Sequence, residues 1–529
     1  MEKGQLIDII IEDMLDDGRA FGRCEGIAVF VSGGCGKCAG AVPGDTARVE
    51  ICKQKKNSAE AVLREIVSLS PDRIKAECPY FGECGGCTLQ ELSYDAQLRL
   101  KREQVKSKLE RLGGLSDPKV NDVIGARQLK YYRNKAVFAV GPHGEVGFMK
   151  GKSHFVMDIE DCMLQSDAAM VCADALRTFL RERGAGNCGM GQMTVRTAFG
   201  TGEVMVVFEE AARDDGRPKN GKGKKKAGNK FEIPDADDLI EMMDDAVASL
   251  NYAADDADPV DLPEDFWSLE SVALINKGKC HIMAGKPTIT DEFKKSDGGT
   301  VRYEISPQSF MQVNPEQMSK LYDKAVEYTG LLTNALNKKV PVSDEKSIAD
   351  CSSHTVLDLY CGAGTIGIWL LDSMRKKDEE AFARTNVIGI ESVKPAVLDA
   401  NRNSVINNMV NTRYIAGKAE EELPGMMGLT KLYKWNEVNE RVEREPEITI
   451  EKVDVAILDP PRSGCDEALL DAAVTASPDR IVYVSCDPAT LARDIKYLTT
   501  RGYEFIECTP VDQFPWTSHI EVVAKIQRR

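Results

Sequence analysis

Cys486 lies between a predicted strand and a predicted helix, a position that often carries a reactive side chain. It follows the apolar, β-branched run IVYVS, and the residues after it, DPATLARD, begin with an acid and a proline and continue as a helix. This pattern is typical of a parallel strand that delivers a residue to the carboxyl edge of an α/β sheet, where ligands and reactive groups collect. The alternative, from this stretch alone, is a small hydrophobic residue buried at a strand end.

A second reactive position lies in the last strand pattern, FPWTSHIEVVAKI. Glu521 interrupts an apolar run between Ile520 and Val522. A carboxylate within such a strand is costly unless it is paired or functional. His519 precedes it by two residues, so strand alternation would put both side chains on one face. The sequence therefore leaves either residue as a candidate base.

Three further cysteines, Cys78, Cys84 and Cys87, form a compact group in the glycine-rich segment ECPYFGECGGCTLQ. Thiols this close in sequence indicate a metal site, and their C-x5-C-x2-C spacing suits zinc or an iron–sulfur cluster equally well. A fourth ligand is required for either. Cys35 and Cys38 make a separate pair in GGCGKC, for which a pair of reduced thiols is the simplest interpretation.

The composition limits the classes of protein to which the chain can belong. Its 529 residues carry a formal net charge of −16, which argues against nucleic acid binding over the whole surface. Basic residues concentrate between 98 and 135, where eleven Lys or Arg stand against four acids. Such a run is typical of a solvated helix face or of a surface that follows phosphates. No signal peptide or membrane span is evident, so we expect a cytoplasmic protein with reduced thiols, no membrane contact and no obligate protein partner.

The surrounding patterns predict three domains. Residues 1–68 alternate in short strands broken by glycines, which predicts a small OB-like β-barrel. Residues 69–310 mix strands with one helix around 166–183, which predicts an α+β central domain that holds the cysteine group, with 213–265 as an insertion. Over 311–529 strand, glycine turn and helix alternate, which predicts a doubly wound, Rossmann-like α/β sheet.

The last domain contains the pattern of a nucleotide-like cofactor site. In TVLDLYCGAGTIGIWLL a strand, a tight turn at Gly362 and Gly364, and a helix let the backbone approach a ligand. The next strand ends at Glu391, an acid that can accept both ribose hydroxyls, and VDVAILDPPRSG ends at Asp459. Strand, GAG turn, acid and DPP are typical of an S-adenosylmethionine-dependent methyltransferase rather than a dehydrogenase. Arg462 follows DPP in place of an aromatic residue, which argues against methylation of an exocyclic amine.

A strand-end cysteine suits methylation of a pyrimidine carbon. A thiolate that adds to carbon 6 converts the ring into an enolate whose carbon 5 can take a methyl group, and a base then removes the carbon 5 proton. RNA cytosine-5 methyltransferases also work in this way, but they carry a cysteine directly after a proline at the third strand end. Arg462 stands there, and Cys465 is displaced from that position, so uracil is favoured.

The segments SCDPATLARD, DPPRSGCD and FPWTSHIE together resemble the RumA-type RNA (uracil-5-)-methyltransferases, and the similarity extends over nearly the whole chain. It implies that Cys486 is the nucleophile and Glu521 the base. It also implies that residues 1–68 are a TRAM domain that binds RNA. The cofactor contacts that it implies lie at Gln312 in SFMQVNPEQ, Tyr360, Glu391 and Asp459.

The same resemblance implies that Cys162 completes a [4Fe-4S] cluster with Cys78, Cys84 and Cys87. Enzymes that act on the tRNA T-loop usually lack the barrel and the cluster, so 23S ribosomal RNA is favoured over tRNA as the substrate. A noncatalytic RNA-binding protein with a degenerate methyltransferase fold is a further alternative. It would have lost the nucleophile, the base or the glycine turn, and all three are present.

Overall fold

The computed structural model describes residues 1–15, 17–33, 40–151, 153–184, 186, 188–211, 233–252, 266–333, 354–435 and 441–529. Cys35, Cys38 and most of the predicted insertion at 213–265 lie outside these residues. The chain forms two compact units, which are Met1–Tyr94, Gln128–Asp291 and Trp516–Ser518 in the first and Asp95–Arg127, Glu292–Pro515 and His519–Arg529 in the second. The domain boundaries at 68 and 310 stay predictions. No helix within the described ranges is long and apolar enough to cross a bilayer.

The first unit begins with a closed five-stranded barrel made of β1 (Leu6–Met14), β2 (Ala20–Cys24), β3 (Ile27–Ser32), β4 (Thr46–Gln54) and β5 (Ser58–Ser68). The strands follow the order β1-β2-β3-β5-β4, with β3 and β5 parallel. Alternation along the strands fills the interior with residues such as Ile11, Val29 and Ile51. Gly22 is required on β2, because a Cβ there would lie 2.3 Å from the Ile10 carbonyl oxygen. The predicted small barrel is confirmed.

Helix α1 (Tyr94–Arg111) follows the cysteine segment and belongs, from Asp95 onward, to the second unit. Its Val105 and Leu109 enter the apolar core of that unit. Lys101 is fully buried, and its Nζ donates to Asp512 Oδ1 at 2.6 Å. The basic run is therefore a packed helix with one buried ion pair, and not only a solvated face.

The remainder of the first unit is a seven-stranded sheet. Its strands are β6 (Lys135–Val140), β7 (Val146–Met149), β8 (Val156–Asp158), β9 (Met190–Thr197), β10 (Glu203–Glu210), β11 (Ser268–Asn276) and β12 (Lys279–Gly285), in the order β12-β11-β10-β9-β6-β7-β8. Helices α2 (Asp167–Arg183) and α3 (Ala236–Ser249) share its apolar core. The Ser166 hydroxyl caps α2 by accepting the Ala169 N–H at 3.2 Å. The helix predicted around 166–183 is confirmed.

Two strands, β13 (Ile289–Lys294) and β14 (Thr300–Ile305), pair with each other and precede α4 (Pro315–Thr329). The later strands are β15 (His354–Leu359), β16 (Thr385–Glu391), β17 (Thr412–Ala416), β18 (Leu432–Trp435), β19 (Arg441–Arg444), β20 (Val455–Leu458), β21 (Arg480–Ser485), β22 (Tyr503–Val511) and β23 (Glu521–Arg528). The later helices are α5 (Thr365–Lys377), α6 (Glu379–Arg384), α7 (Lys394–Ile406), α8 (Ala419–Met426), α9 (Glu467–Ala476) and α10 (Pro488–Thr499).

Seven of these strands form the central sheet of the second unit, in the order β17-β16-β15-β20-β21-β23-β22. The five strands β17, β16, β15, β20 and β21 are parallel, whereas β23 runs antiparallel to both β21 and β22. All four residues of β20, VAIL, are buried, as expected for a parallel strand covered on both faces. The predicted doubly wound α/β sheet is confirmed, and its antiparallel strand decides how the site is assembled.

Candidate active site

Four of the predicted site residues lie where parallel strands end. Tyr360 follows β15, Glu391 ends β16, Asp459 follows β20, and Cys486 follows β21. These strands are neighbours in the sheet, so their last residues meet at one edge, which we call the carboxyl edge. The strand-end patterns in the sequence therefore correspond to one place in the fold.

Glu521 reaches the carboxyl edge from the opposite direction. It is the first residue of β23, and because that strand is antiparallel, its beginning lies beside the end of β21. Val522 pairs with Ser485, the residue before Cys486. Burial raises the pKa of Glu521 well above the ordinary glutamate value, and the Asp459 carboxylate raises it further. Glu521 is therefore a stronger base, once ionised, than an exposed carboxylate.

His519 does not share this position. It precedes β23 and is exposed, with its ring centroid 6.0 Å from that of Phe514. The expectation that strand alternation would put His519 and Glu521 on one face is wrong, because the strand begins only at Glu521. Glu521 is the buried member of the two.

A short turn holds Cys486 between β21 and α10. The Ser485 hydroxyl accepts the Asp487 N–H at 3.1 Å, and Asp487 caps α10 by accepting the Ala489 N–H at 2.8 Å. Cys486 is partly buried directly before this cap. The N-terminus of a helix favours a thiolate over a thiol, so the turn supplies part of what a nucleophile needs.

The charges around Cys486 act in opposite directions. Burial, followed by the carboxylates of Glu521 and Asp459, raises its pKa to about 11, whereas the Arg462 guanidinium lowers it. At neutral pH the protein without ligands therefore carries a neutral thiol at this position. Positive charge brought to the carboxyl edge by a ligand would favour the reactive thiolate.

Helix α10 also positions the loop that follows β20. The Thr490 hydroxyl donates to the Arg462 carbonyl oxygen at 3.3 Å, and the Asp494 carboxylate accepts the Cys465 N–H at 2.9 Å. Cys465 itself is buried with a raised pKa, to about 12, caused mainly by burial. The loops that carry Asp459 and Cys486 thus form one hydrogen-bonded piece, which the sequence patterns did not indicate.

The turn after β15 forms a cradle with the acid that ends β16. Tyr360, Gly362 and Gly364 all have left-handed backbone angles, with φ of 63°, 53° and 74°. A Cβ on Gly364 would lie 2.5 Å from the Tyr414 hydroxyl oxygen, whereas a Cβ on Gly362 would meet no atom within 4 Å. The Gly362 N–H donates to the Glu391 carboxylate at 3.2 Å. The two predicted parts of a cofactor site are therefore in direct contact.

Buried carboxyl groups give this cradle a negative character. Asp358 accepts the Gly367 N–H at 3.1 Å through Oδ2, while its Oδ1 has no hydrogen-bond partner in the part of the chain that the structure describes. Burial raises the pKa of Asp358 to about 7, and burial together with Asp358 raises that of Asp459 to about 7. Such groups fit a ligand that carries positive charge. Asp358 was not among the predicted site residues, although it stands out as an acid inside the apolar run TVLDLY.

Gln312 lies in the segment before α4 and is 3% exposed. The Asn314 side chain caps α4, and Tyr322 on that helix bonds through its hydroxyl to Thr365 Oγ1, 2.9 Å away, at the start of α5. The carboxylates of Asp459 and Glu521 add to the effect of burial in raising the pKa of Tyr322. Helix α4 therefore lies beside the glycine turn and the carboxyl edge.

The four predicted metal ligands are neighbours in the first unit. Cys78, Cys87 and Cys162 pack against one small apolar cluster. Burial, with a smaller contribution from negative charge on Cys162, Cys84 and Cys78, raises the pKa of Cys87 to about 12. Across the described ranges, however, no group of three or more His, Cys, Asp or Glu side chains is arranged to hold a metal ion.

Comparisons with known proteins decide the family. Residues 268–529 match the family model described as tRNA (Uracil-5-)-methyltransferase, and residues 1–63 match the TRAM domain. An uncharacterized RNA methyltransferase of Caldanaerobacter subterraneus is 35% identical over 535 residues, which cover 99% of this chain and 98% of that protein. Another, of Halalkalibacterium halodurans, is 32% identical over 537 residues, with 100% and 98% covered. The chain belongs to the RNA (uracil-5-)-methyltransferase family.

A solved structure shows the same fold. The tRNA (uracil-54, C5)-methyltransferase of Pyrococcus abyssi, in complex with S-adenosyl-L-homocysteine, has a TM-score of 0.61 and 24% identity, covering 98% of this chain and 100% of that chain. The predictions of a TRAM domain and of an S-adenosylmethionine-dependent methyltransferase that acts on RNA are confirmed. The ligand of this RNA (uracil-5-)-methyltransferase carries a sulfonium and an ammonium group, which suits the buried carboxyls at the cradle.

We expect the affinity of this methyltransferase for S-adenosylmethionine to rise between about pH 6 and pH 8. The pKa of Asp358 and that of Asp459 are both about 7, and each carboxyl would attract a cationic cofactor bound at the cradle only after losing its proton. Without cofactor, the raised pKa values predict that the free energy of unfolding falls from about pH 4 to about pH 7, because the folded chain keeps protons that the unfolded chain has released.

Titration calorimetry at the two pH values measures this dependence. Asp459→Asn should flatten it, whereas Asp471→Asn, which alters an exposed acid of the same unit, should leave it unchanged. An affinity that does not change with pH in the unmodified protein would contradict the expected role of these carboxyls.

Proposed function

We propose that this enzyme methylates carbon 5 of a uridine in 23S ribosomal RNA, with Cys486 as nucleophile and Glu521 as base. The observation that carries the mechanism is the meeting of a thiol and a buried carboxyl where β21 ends and β23 begins. Negative charge on Glu521 contributes to the raised pKa of Cys486, which supports two groups that lie near each other. A nucleophile and a base that act in turn on one small ring must be this close.

The reaction divides into an addition and an elimination. The Cys486 thiolate adds to carbon 6, so that a carbon–sulfur bond forms and the ring electron pair moves toward the oxygen on carbon 4. S-adenosylmethionine, when bound, would supply the electrophilic methyl group that carbon 5 takes up, and it would leave as S-adenosylhomocysteine with the electron pair of the broken carbon–sulfur bond. The Glu521 carboxylate then removes the carbon 5 proton, the electron pair restores the ring double bond, and the thiolate leaves.

We assign the cofactor to the cradle after β15. Glu391, at the end of β16, has the position to bind ribose hydroxyls, and Asp459 has the position to bind beside the reacting groups. The orphaned Asp358 Oδ1 supports a cationic ligand at this place. The proposed contacts are Gln312, Tyr360, Gly362, Gly364, Glu391 and Asp459.

The target uridine must leave its base stack to reach a half-buried thiol. Phe310, 63% exposed and two residues before Gln312, offers an aromatic face on which a displaced base can stack. Ribosomal RNA is proposed because the resemblance found in the sequence favours it, while the TRAM domain supports an RNA substrate of either kind. A uridine in tRNA is the second candidate, since the solved structure that matches nearly the whole chain is described as a tRNA methyltransferase.

Mass spectrometry of the protein after reaction with RNA that contains 5-fluorouridine tests the proposal. Fluorine cannot leave as a proton does, so the methylated base should stay attached to Cys486. An adduct on 23S fragments that requires S-adenosylmethionine is the expected result. An adduct on tRNA alone would support the mechanism and identify tRNA as the substrate. No adduct on any RNA would overturn both the mechanism and the proposed substrate.

We further propose that Cys78, Cys84, Cys87 and Cys162 bind a [4Fe-4S] cluster. A cluster holds its thiolates farther apart than a single ion does, because each thiolate binds a different iron. The four cysteines are neighbours, since three of them pack against one apolar cluster and negative charge on the other three thiols contributes to the raised pKa of Cys87. The Gly86 N–H also donates to Cys84 Sγ at 3.4 Å, a type of hydrogen bond that tunes cluster sulfurs.

Protein purified without oxygen should contain about four iron and about four sulfide per chain. Cys162→Ser should lose most of both, because three thiolates leave one iron without its ligand. Cys280→Ser, at a partly exposed cysteine on β12 of the same unit, should retain the full content. Stoichiometric zinc without sulfide would show that the four cysteines form a zinc site and not a cluster.

A further inference from the structure

Two buried carboxamides near Glu521 have no part in the chemistry described above. Gln317 on α4 and Gln513 after β22 are both 0% exposed. Among the residues that the structure describes, neither Oε1 nor Nε2 of either side chain has a hydrogen-bond partner. Buried polar groups in folded proteins are nearly always bonded, so four such atoms in one region call for an explanation.

A single asparagine holds the two glutamines together. Asn314 Nδ2 donates to the Gln513 carbonyl oxygen at 3.4 Å, and Asn314 Oδ1 accepts the Gln317 N–H at 3.3 Å. Asn314 is itself 1% exposed and caps α4. The Asn314 side chain thus links a backbone group in the first turn of α4 to a backbone group in the segment after β22.

Helix α4 covers the face of the sheet from which Glu521 extends. Glu521 pairs with Val511 on β22, so their side chains point to one face, and Thr509 shares that face. The Tyr328 hydroxyl on α4 bonds to Thr509 Oγ1 over 2.6 Å. The helix therefore packs on the same side of the sheet as the proposed base.

The direction of α4 places its first turn at the carboxyl edge. Near its last turn, the Tyr328 carbonyl oxygen accepts a hydrogen bond at 3.3 Å from Arg480, the first residue of β21, which marks the opposite edge. The Gln513 N–H donates to the carbonyl oxygen of Val511, the residue opposite Glu521, at 3.0 Å. Gln317 and Gln513 consequently lie at the same edge as the base and the nucleophile.

We propose that Gln317 and Gln513 bind the hydrogen-bonding edge of the target base, an inference that rests on the function proposed above. Uracil presents an acceptor at O4, a donor at N3 and an acceptor at O2. Two carboxamides supply amide N–H groups for both oxygens and a carbonyl oxygen for the N3 proton. Cys486 and Glu521 act on carbons 6 and 5, on the far side of the ring. A donor at O4 also stabilises the charge that collects there after thiolate addition.

The test compares adduct formation on RNA with 5-fluorouridine or 5-fluorocytidine at the target position. For Gln317→Leu and Gln513→Leu we expect the rate of uridine adduct formation at subsaturating RNA to fall by about 100-fold, since the base would lose paired buried groups. Gln97→Leu, at another fully buried glutamine of the second unit, is the control and should keep the rate within about threefold.

Gln317→Glu provides a readout that a purely structural role would not change. An ionised carboxylate only accepts hydrogen bonds, so it disfavours O4 of uracil and favours the amino group of cytosine. The ratio of cytidine to uridine adducts should rise by about tenfold or more as the pH is raised and the new carboxyl ionises. This variant also gives a result if the leucine variants fail to fold.

The possible results separate the two proposals. If Gln317→Glu lowers both adducts equally at every pH, or leaves both unchanged, the base-binding role is overturned while the proposed function stands. If the unmodified protein forms no adduct with any RNA, the proposed function fails, and the base-binding role fails with it.

Discussion

Replacing Cys486 with alanine is expected to abolish methyl transfer and to leave RNA binding intact. The rate should fall by about 10⁴-fold or more, because no other group can form the bond to carbon 6 that activates the ring. Cys486 is partly buried in a capped turn, and in the proposed reaction only its sulfur would contact the base, so its loss should not disturb the RNA surface. Transfer of a labelled methyl group to RNA measures the rate, and a gel shift measures binding.

Cys465→Ala is the matched control for this experiment. Cys465 is a buried cysteine in the loop after β20, tied to α10 through Asp494, and has no part in the proposed reaction. Its replacement should leave methylation within about threefold of the unmodified enzyme. Substantial methylation by Cys486→Ala, or loss of activity in Cys465→Ala alone, would show that another thiol acts as the nucleophile.

Replacing Glu521 with glutamine is expected to trap the covalent intermediate. The amide keeps the size of the buried side chain but cannot take the carbon 5 proton, so the methylated base should remain bonded to Cys486. Turnover should fall by roughly 10²- to 10⁴-fold, the usual contribution of a general base. Denaturing gels and intact-mass measurements of the protein mixed with unmodified RNA and S-adenosylmethionine would show the adduct.

Two variants show whether the trapped species has the proposed origin. The double replacement of Cys486 by alanine and Glu521 by glutamine should form no adduct, because the attacking sulfur is gone. His519→Ala should resolve its intermediate normally, since His519 is exposed and lies outside β23. Accumulation of the adduct in His519→Ala, with normal turnover in Glu521→Gln, would assign the base to the histidine.

The strand-end residues were predictable because their signal is local. An apolar, β-branched run that ends in Cys486, Glu391 or Asp459 and is followed by a turn and a helix occupies a few consecutive positions. The glycine turn at Gly362 and Gly364 is local for the same reason. The doubly wound sheet and the barrel followed from such repeated short patterns, and both are confirmed.

What the sequence did not show depends on partners that are far away along the chain. The direction of β23 is a tertiary property, and without it the residues His519 and Glu521 could not be distinguished. Lys101 belongs to a run that reads as a surface helix, yet its partner is Asp512, 411 residues later. That the side-chain amides of Gln317 and Gln513 lack hydrogen-bond partners among the described residues is likewise invisible in sequence, because the surroundings of a buried amide are known only from the fold.

The pairing of Ser485 with Val522 has a consequence for the durability of the enzyme. The proposed nucleophile and base are next to residues joined in the ladder between β21 and β23, two inner strands of the seven-stranded sheet, and every residue of β21 is buried. Segments of this kind open only with the cooperative unfolding of the whole core, whereas loop sites open by local fluctuation. As the denaturant concentration rises, Cys486 and Glu521 should therefore stay together until the second unit unfolds. Methyl transfer should be lost at the same denaturant concentration as the fold.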